Sequence, residues 1–202
     1  IDFSYKKICI SDPANEVNLE ESLILAKYLR NAYPKSEIHF VFHRLNKHNQ
    51  MVNKHIDKLK LLDIDINDIT GGVEGMAIYD DCDLHIGYRV HAHIYNLSNR
   101  NISILIEEDG RGTGVNEVLG TLGIKAYNSF KISGKKDTYL AKIKRNIYKK
   151  MIVVKKYSNK NFVNNIKEYL DIIEKNEYSQ YYTAFYGLKF YHEKMIKFIS
   201  TI

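Results

Sequence analysis

The chain has 202 residues, 45% of them hydrophobic and 27% charged, with a formal net charge of +6. That length suits one ordinary domain, or a domain with an appendage, able to bury a core, and the hydrophobic content excludes a disordered chain. No apolar run approaches the roughly 20 residues of a bilayer span, and the basic residues are interleaved with acids outside any recognised motif, so nucleic-acid binding is not expected.

Residues 7–11 predict a first strand, closed by the loop Asp12-Pro13-Ala14-Asn15. Leu19, Leu23, Leu25, Ala26 and Leu29 repeat at helical spacing up to Asn31, and Pro34 prevents continuation. Residues 37–42 form a second predicted strand, ending at His43-Arg44. A polar helix follows over 46–61, then a short strand over 63–66 and a small helix over 72–80. Beyond the central segment described next, a helix is predicted over 115–122 and a strand over 123–127. Helices are predicted over 137–149, 161–176 and 178–202, the last carrying an aromatic face that more often covers a core than stacks on bases. Strands alternating with helices predict an α/β fold with a Rossmann-like parallel sheet and right-handed crossovers. The lobe is assigned to 1–135 and a helical C-terminal extension to 136–202. The start at Ile1 rather than Met predicts a fragment of a longer protein.

Residues 81–114 carry the chemistry. Leu84-His85-Ile86 is a short apolar run ending at Gly87, and Val90, Ile94 and Leu97 follow at helical spacing. Residues 102–106 are a second β-branched run, and Glu107 to Gly114 has turn chemistry. This strand-helix-strand unit puts Arg89 and His91 in the first helical turn at a strand's carboxyl end. Parallel α/β sheets bind ligands there, and free backbone N–H groups favour an anion. Arg89 brings a fork of donors, and His91 a group that exchanges a proton near neutral pH. His43, Asp109 and Arg111 end neighbouring strands on the same sheet edge. Gly87 is expected to give a tight turn, and Gly110, Gly112 and Gly114 a close backbone approach to a ligand.

Structural readings stand beside these. Arg89 also suits an ion pair with Asp83 or Glu108, though the ligand role is favoured, while Asp109-Arg111 suits a solvated turn and His43 a capped surface position equally well. A metal site is not expected: His91 and His93 are two apart on a helix and diverge by about 200°. Cys9 and Cys82 lie within or beside predicted buried strands, which suggests reduced thiols and a cytoplasmic setting.

Asp83-Leu84-His85-Ile86-Gly87-Tyr88-Arg89-Val90-His91-Ala92 resembles the D-L-x-I-G-x-R-L-H-A signature of the polysaccharide pyruvyl transferases. The following Ile-Ser-Ile-Leu-Ile-Glu-Glu-Asp-Gly-Arg is similar to that family's next strand and its D-x-K/R loop. The resemblance implies the carboxyl-terminal lobe of a two-lobed, GT-B-like enzyme whose N-terminal lobe is missing. It implies transfer of the pyruvyl group of phosphoenolpyruvate onto sugar hydroxyls of a cell-surface polysaccharide or its precursor, without a cofactor. Arg89 and His91 are then the catalytic, donor-binding residues, with Gly87, His43, Asp109 and Arg111 contributing to substrate binding. The implied setting is cytoplasmic, in peripheral contact with the membrane where the acceptor is lipid-linked. One position departs from the family. Its arginine after the lobe's first strand is replaced by Ser11-Asp12-Pro13, which removes a cation and adds a carboxylate. A nucleotide-sugar glycosyltransferase and a non-catalytic sugar- or partner-binding domain are the alternative expectations.

Overall fold

Period-two alternation sorts the strand residues onto two chemically different sheet faces. In β1 (Lys7–Ser11), Ile8 and Ile10 enter one apolar cluster and Cys9 a second. In β4 (Leu84–Gly87) and β5 (Ile102–Asp109), Leu84, Ile86, Ile104 and Ile106 join the first cluster, while His85, Ser103 and Glu107 are buried outside it. The first face is therefore an ordinary aliphatic core, whereas the second carries a buried polar strip beneath the candidate site.

The computed structural model describes residues 5–121, 123–130 and 160–175, with the single positions 186, 190, 193 and 194. Among them, β2 (Glu37–Phe42), β3 (Asp65–Asp68) and β6 (Gly123–Phe130) complete a six-stranded sheet in the order β3-β2-β1-β4-β5-β6. Every pairing is parallel. The architecture is Rossmann-like α/β. The order reverses between β1 and β4, and such a switch point opens a crevice at the strands' carboxyl ends.

Helices α1 (Leu19–Ala32) and α2 (Gln50–Lys60) cover the aliphatic face, capping it with Leu23, Ala26, Leu29, Val52 and Leu59. Helices α3 (Val90–Ser98) and α4 (Gly110–Leu119), with a 3-10 turn over Glu74–Tyr79, belong to the polar-strip side. Helix α5 (Lys160–Lys175) places Phe162, Ile166, Leu170 and Ile173 in the aliphatic core, and Tyr5 donates to Glu174 Oε1 at 3.2 Å. This part of the extension packs on the lobe itself. The predicted helices over 137–149 and nearly all of 178–202, and the boundary at residue 135, lie outside the described residues; of the aromatic face only Tyr186 and Phe190 are described, 65% and 52% exposed. Among the described residues no helix is long and apolar enough to cross a membrane.

The segment from Glu107 to Gly114 corrects the expectation of a glycine-rich loop. β5 runs on to Asp109 and α4 starts immediately at Gly110, five residues before the expected Val115. The Asp109 carboxylate accepts from the Arg111 backbone N–H at 2.9 Å, capping the helix. Buried Glu107 accepts from Thr113 Oγ1 and Asn116 Nδ2, each at 2.7 Å, and from Lys125 Nζ. This anchoring outweighs the poor helix propensity of Gly110, Gly112 and Gly114. At the other end Gly120 closes α4 in the left-handed region, with φ 68°. Elsewhere the expected elements shift by a few residues: the strand predicted over 63–66 spans Asp65–Asp68, and the helix over 46–61 begins only at Gln50. There the Asn49 side chain accepts from Met51 N.

Candidate functional site

β4 ends at Gly87, packed against the end of β1. A Cβ there would collide with Ser11 Oγ, so the glycine serves close strand approach and not the tight turn expected of it. Tyr88 then turns back beneath the sheet and donates to buried Glu21 of α1 at 3.1 Å; burial pushes its phenol pKa well up. Arg89 becomes the N-cap of α3, with extended dihedrals of −88° and 114°, and its backbone N–H donates to Ser11 Oγ at 3.1 Å.

The Arg89 side chain is already engaged. Its Nε and Nη2 donate to the two oxygens of Asp12, both at 2.7 Å, in a bidentate pair. The side chains are only 18% and 4% exposed, so the pair is largely withdrawn from water. Asp12 also accepts from the His43 backbone N–H at 3.0 Å. The Asp12 carboxylate thus ties the ends of β1, β2 and β4 together. Neither Asp83 nor Glu108 is the partner: Asp83 accepts from the Lys6 and Lys7 backbone N–H groups. Glu108 accepts from Ala14 N, Asn15 N and Asn18 Nδ2, holding the loop after β1. Burial raises the Glu108 pKa, although these donors and the nearby Arg89 charge oppose it.

Arg111 does not share this arrangement. It is exposed and lies against its own helix cap, its Nη2 at 2.7 Å from Asp109 Oδ2. That bond and the Arg111 charge hold the Asp109 pKa below the usual carboxylate range. Exposed pairs contribute little. Arg111→Ala should therefore change the unfolding free energy by less than about 1 kcal/mol, as read by urea denaturation. A larger loss would mean that the cap geometry depends on the guanidinium.

His43 and His91 do come together. They line a cleft of about 470 Å³ with Ile69, Gly71, Gly72, Val73, Met76, Ile94 and Tyr95. His43 Nε2 lies 2.8 Å from the Tyr79 hydroxyl, and burial pushes the imidazole pKa down to about 4, leaving it neutral. His91 is exposed in the first turn of α3, while His93 is fully buried on the opposite side of the helix. Among the described residues no group of three or more His, Cys, Asp or Glu side chains is arranged to hold a metal ion.

Sequence reasoning missed the buried chain beneath α3. His85 Nε2 lies 3.0 Å from Ser11 Oγ and its Nδ1 2.7 Å from Ser103 Oγ, which in turn lies 2.7 Å from His93 Nδ1. The chain crosses β1, β4 and β5 and reaches α3, linking the Ser11 hydroxyl that caps Arg89 to the helix that Arg89 begins. Burial lowers the pKa of both histidines, His93 to about 4, and among the described residues His93 Nε2 is buried without a hydrogen-bond partner. The signal available in the sequence was a polar residue inside each apolar run: His85 in Leu-His-Ile and Ser103 in Ile-Ser-Ile.

No family model and no curated protein matches the chain. Among solved structures, U34-tRNA thiolase NcsA from Methanococcus maripaludis, described with its [4Fe-4S] cluster, aligns over 95% of this chain and 74% of its own. The identity is 13% and the TM-score 0.32.

Proposed function

We propose that this lobe holds the donor of a pyruvyl transfer, in an enzyme of GT-B-like architecture, and that the donor is phosphoenolpyruvate. The observation that carries the reading is the placement of the Asp83–Ala92 segment. It ends a central strand at the switch point and begins α3 with Arg89, leaving His91 exposed in the first turn beside an open cleft. An anion at that helix end meets unpaired backbone N–H groups and the positive end of the helix. Asp12 occupies Nε and Nη2 of Arg89, so a carboxylate or phosphate would use Nη1. Arg111, bound only in an exposed pair, is the cation able to change partners at low cost.

In the reaction one proton goes to the methylene carbon of the enolpyruvyl group, giving an oxocarbenium-like centre at C2. Two acceptor hydroxyls form bonds to C2 and the bond to the phosphate oxygen breaks. Of the two hydroxyl protons, one balances that taken up by carbon and the other leaves on hydrogen phosphate. In this reading His91, solvent-exposed in the first turn of α3, exchanges these protons.

The test is titration of the full-length protein with phosphoenolpyruvate, followed by phosphate release in the presence of saccharide acceptors. Arg111→Ala should weaken binding by about tenfold, the weight of one charge-assisted hydrogen bond. His91→Ala should abolish phosphate release while leaving the fold intact. Undetectable phosphoenolpyruvate binding, or turnover unchanged in His91→Ala, would overturn the reading.

A further inference from the structure

The cleft beside α3 has a chemistry of its own. Its volume, about 470 Å³, falls in the range of small-molecule sites. Its walls are mostly apolar: Ile69, Val73, Met76 and Ile94, with the ring of Tyr95. Among the described residues that line it there is no lysine, arginine or carboxylate.

The polar groups that remain sit at the cleft's edges. The Tyr79 hydroxyl is buried against His43 and has no other partner among the described residues, so its proton is assigned to His43 Nε2. A neutral imidazole that accepts at Nε2 carries its hydrogen on Nδ1. His43 is therefore a fixed, uncharged donor, oriented from behind by Tyr79, which also stacks on it with ring centroids 5.9 Å apart. His91 also lines the cleft, and Gly71 and Gly72 line its loop side, open at Gly71 while the Glu74 carboxylate lies against Gly72.

We infer that this cleft binds a planar, uncharged heteroaromatic ring: the base of a nucleoside. Such a ring presents apolar faces to the aliphatic walls and concentrates its acceptors and donors at its rim, where His43 and the Gly71-Gly72 backbone lie. A saccharide ring fits worse. Its hydroxyls project all round, and those facing Ile69, Met76 and Ile94 would be buried without partners. The cleft also lies at the end of β2, next to the switch point, where parallel α/β sheets seat the nucleoside part of a ligand. The site shares only His91 with the proposed donor site and does not depend on the identity of the donor.

The experiment titrates the full-length protein with uridine, cytidine, adenosine and guanosine, and separately with methyl glycosides and phosphoenolpyruvate, by calorimetry and by chemical-shift changes of the histidine rings. At least one nucleoside should bind and shift the His43 resonances. Ile94→Ala, which removes part of a wall, and His43→Phe, which removes the donor but keeps a ring, should each weaken it by about tenfold, the weight of one such contact. If His43→Phe fails to fold because Tyr79 loses its partner, Ile94→Ala alone decides. Absence of binding by all four nucleosides, nucleoside binding indifferent to Ile94→Ala, or methyl glycosides shifting His43 in their place would each overturn the inference. Phosphoenolpyruvate binding without nucleoside binding would sink this site and leave the donor site standing, and the converse result would do the opposite.

Discussion

Arg89→Ala should cost about 3–5 kcal/mol of folding free energy, because it strands Asp12 as a buried, unpaired carboxylate. Asp12 is 3% exposed, and the bonds from Arg89 Nε and Nη2, with the His43 amide, are what compensate its charge. Urea denaturation would show the loss as a fall in midpoint with little change in slope. The double variant Arg89→Ala with Asp12→Asn should regain a large part of it. The asparagine carries no charge, and its side-chain oxygen still accepts from His43 N. Arg89→Lys should fall between, since an ammonium keeps the charge but not the bidentate fork. The same measurement bears on function. A site arginine kept free for an anion would lose little stability and much phosphate affinity, so a cost under about 1 kcal/mol would show that Asp12 releases Arg89 in solution.

The Asp12–Arg89 pair also marks the limit of what the sequence could tell. Its partners are 77 residues apart and meet only because β1 and β4 become neighbours in the sheet. Nothing local in Ser11-Asp12-Pro13 signals a salt bridge, and Asp83 and Glu108 were nearer candidates by the same criteria. The strands and helices, by contrast, were legible from apolar spacing, because one continuous face of the sheet is aliphatic. Ile8, Ile10, Leu84, Ile86, Ile104 and Ile106 all lie on it. The start of α4 was misread because the glycines at 110, 112 and 114 have turn chemistry, whereas the residues that override it act through side-chain bonds. Asp109 caps the helix, and Glu107 anchors Thr113 and Asn116. Placement of His43 and His91 at one sheet edge followed from strand order alone. Their sharing of one cleft did not, since another of its walls is the loop and 3-10 turn after β3.

The second large effect is acid destabilisation through the buried histidines. His93 sits in the Ser11-His85-Ser103 chain, and His55 lies between Ser22 and the Phe40 ring. Burial lowers both pKa values to about 4. In the unfolded chain each titrates near 6.5, so between about pH 6.5 and 4 the unfolded state binds more protons and stability must rise with pH. Their contribution is fully present above pH 6.5 and is lost as pH falls towards 4. Near pH 5 each histidine accounts for nearly one proton, or about 1.2 kcal/mol per pH unit. The carboxylates held low, Asp109 and Glu107 among them, add to the loss only as pH falls below the ordinary carboxylate range. Unfolding free energies measured from pH 7.5 to 4.5 should therefore slope downward toward acid. In His93→Asn the slope near pH 5 should be shallower by one histidine's share, whatever that substitution costs at pH 7.5. A folded-state His93 that titrates near 6.5 by NMR, or a slope unchanged in His93→Asn, would show that the chain beneath α3 opens to water and does not hold the helix on the sheet.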